Sequence, residues 1–204
     1  MSKRCTILSG GPYYPQVQVP AGDFVIACDR GYGHALEAGI TPDLVIGDFD
    51  SYSGRVDPDV PTILLPTAKD DTDTGYALRY AVEHGYDDIT IRYALGARLD
   101  HTLANLQSAA RAAKNGAFVT LEGEGETVHV FSQGQVVVPV HEGKALSVLA
   151  LTDRCLDVCV SGARYSLDHA TLTADYPLGV SNRGEGNVTI SVGEGVLYVS
   201  LCRA

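Results

Sequence analysis

Short apolar runs bounded by glycine, proline and polar residues recur along the whole chain, and the two halves differ in what lies between them. In the first half the runs at 5–9, 24–28, 44–46, 62–65, 89–92 and 118–121 have the length and β-rich composition of buried strands. Helical spacing appears between them. Residues 33–38 form a short helix closed by Gly39, Ala77, Leu78, Ala81 and Val82 mark a second helix ended by Gly85, and Leu103, Leu106, Ala110 and Ala113 mark a third stopped by Gly116. This alternation predicts an α/β fold, with an N-terminal mostly parallel sheet and flanking helices. From Thr127 onward no helical period survives. The runs at 128–131, 136–140, 146–151, 156–160, 188–192 and 196–201, separated by Gly, Asp, Asn and Ser, predict a C-terminal all-β sandwich or barrel. The acidic, glycine-rich stretch Glu122-Gly123-Glu124-Gly125-Glu126 divides the two patterns, so units at 1–123 and 124–204 are expected. Exposed strand edges in the second unit would need a cover, which a dimer can supply.

The candidate chemistry lies where the strands of the first half stop. Leu44-Val45-Ile46 meets Gly47 and then Asp48-Phe49-Asp50-Ser51, and the run at 24–28 ends in Asp29. In parallel α/β sheets the ligand crevice lies beyond the carboxyl ends of the strands. Carboxylates there suit Mg²⁺, which takes one or two of them and leaves its other positions to water and phosphate. An ordinary turn is the simpler reading of Asp48 and Asp50. Lys69-Asp70-Asp71-Thr72-Asp73-Thr74 precedes the second helix. Helix capping accounts for Asp70 and Asp71, while Asp73 is the acid expected to turn into the crevice and complete a Mg²⁺ shell with Asp48 and Asp50. Arg98, between a strand end and a helix start, suits a bidentate grip on phosphate oxygens. Asp100 reads as the N-cap of that helix, and His101 as a base or a structural first-turn residue. Gly10-Gly11 can bring backbone N–H groups near a phosphate, without a G-x-G-x-x-G or Walker pattern. In the second half Tyr165 reads as a core aromatic or a stacking platform, and Ser181-Asn182 as a turn or a hydrogen-bonding pair for a planar ligand.

Composition narrows the partners. Fifteen Lys+Arg against 25 Asp+Glu give a net charge of −10, which argues against nucleic acid or an anionic membrane. A polyanion such as ATP would then enter with a divalent cation. No apolar run reaches membrane-spanning length and the start has no signal-peptide pattern, so the cytoplasm is expected. Cys5, Cys28, Cys155, Cys159 and Cys202 contain no Cys-x-x-Cys pair and read as buried small hydrophobes in a reducing compartment, with no zinc site.

Taken in order, Ser9-Gly10-Gly11, Pro42-Asp43-Leu44-Val45-Ile46-Gly47-Asp48-Phe49-Asp50-Ser51, Lys69-Asp70-Asp71-Thr72-Asp73, Gly96-Ala97-Arg98-Leu99-Asp100-His101-Thr102-Leu103-Ala104-Asn105, Tyr165-x-Leu167 and Gly179-Val180-Ser181-Asn182 resemble the thiamine pyrophosphokinase family over nearly the whole chain. The resemblance implies an N-terminal domain holding Mg-ATP, a C-terminal domain helping to hold thiamine, and a homodimer with the active site between subunits. It implies attack of the thiamine hydroxyl on the β-phosphorus of ATP, giving thiamine diphosphate and AMP. It implies Asp29, Asp48, Asp50 and Asp73 as the metal set and Asp48, Asp73 and Arg98 as catalytic groups. Nucleotide contacts fall to Ser51, Lys69, Thr72, Arg98, Asp100 and His101, and thiamine contacts to Tyr165, Ser181, Asn182 and Tyr198. The sequence departs from the family pattern at Tyr93 and Ala97, where glycine is expected, and at Ala68, where an acid is common. Two other readings remain: a metal-dependent nucleotide or phosphoester hydrolase, which uses the same acids to activate water, and a non-catalytic sensor that binds thiamine at the β domain and does not need them.

Overall fold

Alternate residues of the first strand feed two different layers, and that alternation sets the architecture. The computed structural model describes residues 2–15, 17–50, 52, 54–96 and 98–203, the side chain of Glu185 excepted. In β1 (Arg4–Leu8) and β2 (Phe24–Cys28), Cys5, Ile7, Ile26 and Cys28 face the core covered by α2 (Asp73–Glu83) and α3 (Leu99–Lys114). Leu8, Val25 and Ala27 face the opposite core, which contains Tyr32 and Ala35 of α1 (Arg30–Glu37). Strands apolar on both faces are what a parallel sheet between helices requires.

The parallel sheet is completed by β3 (Leu44–Gly47), β4 (Thr62–Leu64), β5 (Asp88–Arg92) and β6 (Phe118–Gly123), in the order β4-β3-β2-β1-β5-β6. The order turns round between β1 and β5, and such a switch point opens a crevice at the carboxyl ends of the strands. Helices end at the expected glycines: Gly39, Gly85 and Gly116 all have positive φ.

The third helix buries most of the face expected, shifted at its start. Ala110 and Ala113 are buried and Leu106 packs on the core as expected, but Leu103 is 53% exposed, and Asn105, Ala109 and Ala112 turn inward as well. A row of small side chains lets α3 lie close to the sheet and to α2, where a leucine row would hold it off.

The β-rich half follows without a break in the sheet. A two-residue turn at Glu124-Gly125 joins β6 to the antiparallel β7 (Glu126–Val140), so the expected boundary falls on a hairpin rather than on a linker. Two pairs of expected strands are each one long strand. β7 bends at Gln133 and Gly134, both with positive φ, and β11 (Gly184–Arg203) shifts register between Val192 and Val196. Bends of this kind let one strand serve two walls of a closed β unit. Between those walls and β8 (Lys144–Ala150), β9 (Arg154–Ala163) and β10 (Leu167–Thr173) lies a second core, including Val138, Leu146, Val158, Leu172, Ile190 and Leu197. β10 escapes a pattern search because Leu172 is its one fully buried residue. Each fully buried aliphatic of these cores contributes about 1.5–3 kcal/mol. Among the described residues no helix is long and apolar enough to cross a membrane.

Candidate active site

The carboxyl ends of β1, β2, β3 and β5 open on a cavity of about 680 Å³. Asp29, Asp48, Asp50, Lys69, Thr72, Asp73, Arg98 and His101 all line it, although they come from four separate stretches of chain. Ser51 and Ala97 lie outside the described residues.

Three carboxylates converge there. One oxygen from each of Asp29, Asp48 and Asp73 lies within 4.8 Å of the others. Their convergence rests on unusual backbone. Asp29 (φ 46), Phe49 (φ 59) and Tyr93 (φ 57), at the ends of β2, β3 and β5, all occupy the left-handed region. Such conformations cost a non-glycine residue about 1–3 kcal/mol each and cluster where function demands them. Gly47 makes room for Asp29: a Cβ at Gly47 would sit 3.1 Å from the Cβ of Asp29, whose N–H donates to the Ile46 carbonyl at 3.0 Å. Asp50 is more exposed and stands beside the trio rather than within it, its N–H donating to Asp48 Oδ1 at 3.2 Å.

Lys69 is the cation that touches the converging carboxylates. Its Nζ donates to Asp48 Oδ2 at 2.6 Å and lies 3.1 Å from Asp73 Oδ1. The hydrogen bond from Lys69 holds the Asp48 carboxyl below its ordinary range. Burial pulls the Lys69 ammonium down, but its bonds to Asp48 and Asp73 outweigh that and leave it raised. Asp73 is raised chiefly by burial, and Asp50 chiefly by the charge of Asp48. Asp29, Asp48, Asp50, Asp71 and Asp73 outnumber Lys69, Arg30 and Arg98 around the cavity and leave it net negative, and the all-oxygen donor set of Asp29, Asp48 and Asp73 fits a hard divalent cation. These residues therefore fit Mg²⁺.

The rim carries the groups of the strand-to-helix turns. The Arg98 guanidinium is 73% exposed and is held by Asp100 through Nε at 3.1 Å and Nη2 at 2.6 Å. Asp100 is not the N-cap: that position is Arg98, and Asp100 lies inside the helix, its carboxylate drawn back to the guanidinium and to the His101 N–H at 2.9 Å. Capping of α2 falls to Thr72, whose Oγ1 accepts from Gly75 N at 2.9 Å, while Asp71 pairs with Arg79 at 3.1 Å.

Ser9, Thr74 and Asn105 line the cavity and stand inside stretches quoted above without a role of their own. Ser9 and Thr74 share a buried hydrogen bond of 2.8 Å, tying β1 to α2, and Asn105 Nδ2 donates to the Ala94 carbonyl at 2.9 Å, tying α3 to the end of β5. A buried polar residue on a small-residue helix face was the available signal for Asn105. Gly11 serves close approach: its N–H donates to the Tyr93 carbonyl at 3.1 Å, and a Cβ there would meet that oxygen at 2.1 Å. Tyr93 itself, left-handed despite its side chain, is held by ring contacts with Tyr13, Tyr14 and His34.

A second, apolar cavity of about 340 Å³ lies in the β-rich half, lined by Val148, Val160, Tyr165, Leu167, Leu178, Gly179, Val180 and Asn182. Tyr165 is 63% exposed, so it is no core aromatic. Asn182 clamps it, with Oδ1 accepting from Tyr165 N at 3.1 Å and Nδ2 donating to Tyr165 O at 2.7 Å. Ser181 has φ 59 and its N–H donates to Ser147 Oγ at 3.1 Å. Tyr198 packs against the core beneath α2 and α3 and lines neither cavity.

Residues 18–121 match the family model described as thiamin pyrophosphokinase, catalytic domain, and residues 129–197 match that described as thiamin pyrophosphokinase, vitamin B1 binding domain. The thiamine pyrophosphokinase of Bacillus subtilis (strain 168) is 28% identical over 208 residues, covering 97% of each chain. The crystal structure of thiamine pyrophosphokinase from Bacillus subtilis superposes with a TM-score of 0.86 at 26% identity, over 98% of this chain and 99% of that one. The thiamin pyrophosphokinase of Geobacillus thermodenitrificans gives a TM-score of 0.81 at 25% identity, over 98% of each chain.

Proposed function

Because this chain belongs to the thiamine pyrophosphokinase family, we propose that the acid-lined cavity at the ends of β1, β2, β3 and β5 is where it carries out that family's reaction. The enzyme is a thiamine diphosphokinase: it transfers the pyrophosphoryl group of ATP to the hydroxyl of thiamine, leaving thiamine diphosphate and AMP. The observation that carries the location is the convergence of Asp29, Asp48 and Asp73 within 4.8 Å.

In this reading Asp29, Asp48 and Asp73 hold Mg²⁺, with Asp50 beside them. Bound there, the ion supplies charge neutralisation and polarisation of the phosphate oxygens. The chain's own groups do the rest. Lys69 favours the ionised form of Asp48, opposes the effect of burial on Asp73 and draws the two together. Arg98, at the mouth, exchanges Asp100 for phosphate oxygens and meets the charge that develops during transfer, with His101 and Thr72 on the same wall. Asp73 or Asp48 orients the attacking hydroxyl and receives its proton. Holding donor and acceptor in line is the main contribution the protein makes to such a transfer.

Thiamine is the ligand assigned to the apolar cavity, with Tyr165 stacking on a ring between Leu178 and Val180, and Asn182 fixing the tyrosine rather than the ligand. The units 1–123 and 124–204 then divide the work, ATP and Mg²⁺ on the first and thiamine on the second. A homodimer brings the apolar cavity of one subunit to the acidic cavity of the other. Exposed apolar residues on both surfaces support it, Leu99 and Leu103 on α3 and Tyr165, Leu178 and Val180 on the β unit. Five free cysteines support a reducing, cytoplasmic setting.

Product analysis of the purified protein with ATP, Mg²⁺ and thiamine tests the reading. Equal amounts of AMP and thiamine diphosphate are expected, with neither formed when any component is omitted. ADP as product, or nucleotide turnover without thiamine, would overturn it.

A further inference from the structure

The outer face of the β9–β10 ladder carries a cluster of different chemistry from the acidic cavity. Asp157 and Cys159 are two residues apart on β9, so they leave the strand on one side while Val158 and Val160 between and beyond them are buried on the other. His169 reaches the same side from β10, where the ladder shifts register between Leu167 and Ala170 and again before Leu172. One donor atom from each of Asp157, Cys159 and His169 lies within 4.8 Å of the others. None of the three lines either cavity.

We propose that Asp157, Cys159 and His169 form a binding site for a borderline transition dication of the zinc class, with water completing the shell. A thiolate, an imidazole and a carboxylate are a donor set that selects zinc-like ions over Mg²⁺ or Ca²⁺. The backbone is bent toward this arrangement. Asp157 (φ 57) and His169 (φ 47) are both left-handed, and bulges of this kind re-aim side chains. Asp157 Oδ1 and His169 Nδ1 are already hydrogen-bonded, the backbone N–H of His169 donates to Cys159 Sγ at 3.4 Å, and Asp168 Oδ1 lies 3.7 Å from the far ring nitrogen of His169. The absence of a Cys-x-x-Cys pair, which argued against zinc from sequence, does not bear on a site assembled across two strands.

Such an ion would clasp β10, the edge strand of the sheet, to β9. Leu167 begins β10 and lines the apolar cavity beside Tyr165, so the clasp would also steady one wall of that cavity.

The test uses the whole protein, stripped with chelator and kept in excess Mg²⁺, titrated with Zn²⁺ by calorimetry and with Co²⁺ by absorption. One equivalent of each is expected to bind, the Co²⁺ form showing thiolate-to-metal charge transfer. Cys159→Ser should lose that absorption, and His169→Asn, which tolerates the left-handed backbone, should weaken Zn²⁺ binding by at least about tenfold. Cys28→Ser, at the one thiol that lines the acidic cavity among the described residues, should change neither. All three cluster residues are at least partly exposed, and circular dichroism of each variant checks that the fold is kept. The proposal fails if charge transfer is absent from the parent protein, if it survives Cys159→Ser, or if His169→Asn binds Zn²⁺ as the parent does; the cluster is then only a hydrogen-bonded surface feature.

Discussion

Lys69 and Asp48 form a short, largely enclosed ion pair, with Nζ 2.6 Å from Oδ2 and the two side chains 16% and 8% exposed. The pair closes a gap of 21 residues in the chain and places the only ammonium of the cavity against the carboxylates that would hold a divalent ion. Lys69 thus offsets acid–acid repulsion before any metal arrives.

Removing that ammonium should make the fold lean on the metal. A buried pair broken on one side costs about 3–5 kcal/mol, and the residual exposure here reduces the expectation for Lys69→Met to about 1–3 kcal/mol. Urea denaturation with and without Mg²⁺ measures it. The variant should gain more stability from Mg²⁺ than the parent does; equal gains would show that Lys69 does not relieve the carboxylates.

Gly47→Ala separates geometry from stability. The added methyl would press on Asp29, whose Cβ is 3.1 Å from the position it takes. Overpacking of this kind costs about 1–3 kcal/mol, yet displacing one carboxylate of the trio should cost turnover more, on the order of a hundredfold for a misplacement near 1 Å. Steady-state assays beside circular dichroism distinguish the two. Full activity in Gly47→Ala would mean that Asp29 is not held by this contact.

At Tyr93 two effects oppose each other. Glycine would relieve the left-handed backbone, worth about 1–2 kcal/mol, but would remove a ring that is 1% exposed and touches Tyr13, Tyr14 and His34, worth about 3–5 kcal/mol. Packing wins, so Tyr93→Gly should be less stable than the parent despite restoring the residue that the family pattern favours there. A rise in thermal midpoint would reverse this assignment.

The same tyrosine illustrates what was legible in the chain. Apolar runs ending in Asp29 and Asp48 located the sheet, and the acids after them were expected to share one cavity because strand ends in parallel sheets do. The helix carrying Asn105 was harder to read: the spacing located Ala110 and Ala113, but a core face made mostly of alanines carries little periodic signal, so the exposed Leu103 was expected inside and Asn105, Ala109 and Ala112 were not. β10 was missed for a similar reason, with one inward residue in seven. Cross-strand relationships such as Asp157 with His169 depend on bulges, which leave no spacing in the sequence to find.

Buried imidazoles set the expected response to mild acid. Burial pulls His129, packed against Phe118 with Nδ1 3.1 Å from Thr120 Oγ1, below the ordinary histidine range, and it does the same to His34, which bonds to the Gly11 carbonyl at 2.9 Å. An unfolded chain protonates these rings near pH 6.5 while the folded one does not, so between those points the unfolded state binds more protons and stability rises with pH. Their stabilisation is complete above about pH 6.5 and is lost as pH falls through that value toward the lowered folded pKa. His169 has the opposite sign, raised by its hydrogen bond to Asp157, but its side chain is 72% exposed and solvent screens it. Asp73, also raised, acts in a lower window, losing stability as pH climbs through the carboxylate range. The urea midpoint should therefore fall from about pH 7.5 to about pH 5.5, the interval in which an ordinary imidazole charges. It should fall less in His129→Gln, which keeps a polar partner for Thr120 without a titrating ring. Parallel declines in parent and variant would place the acid sensitivity elsewhere.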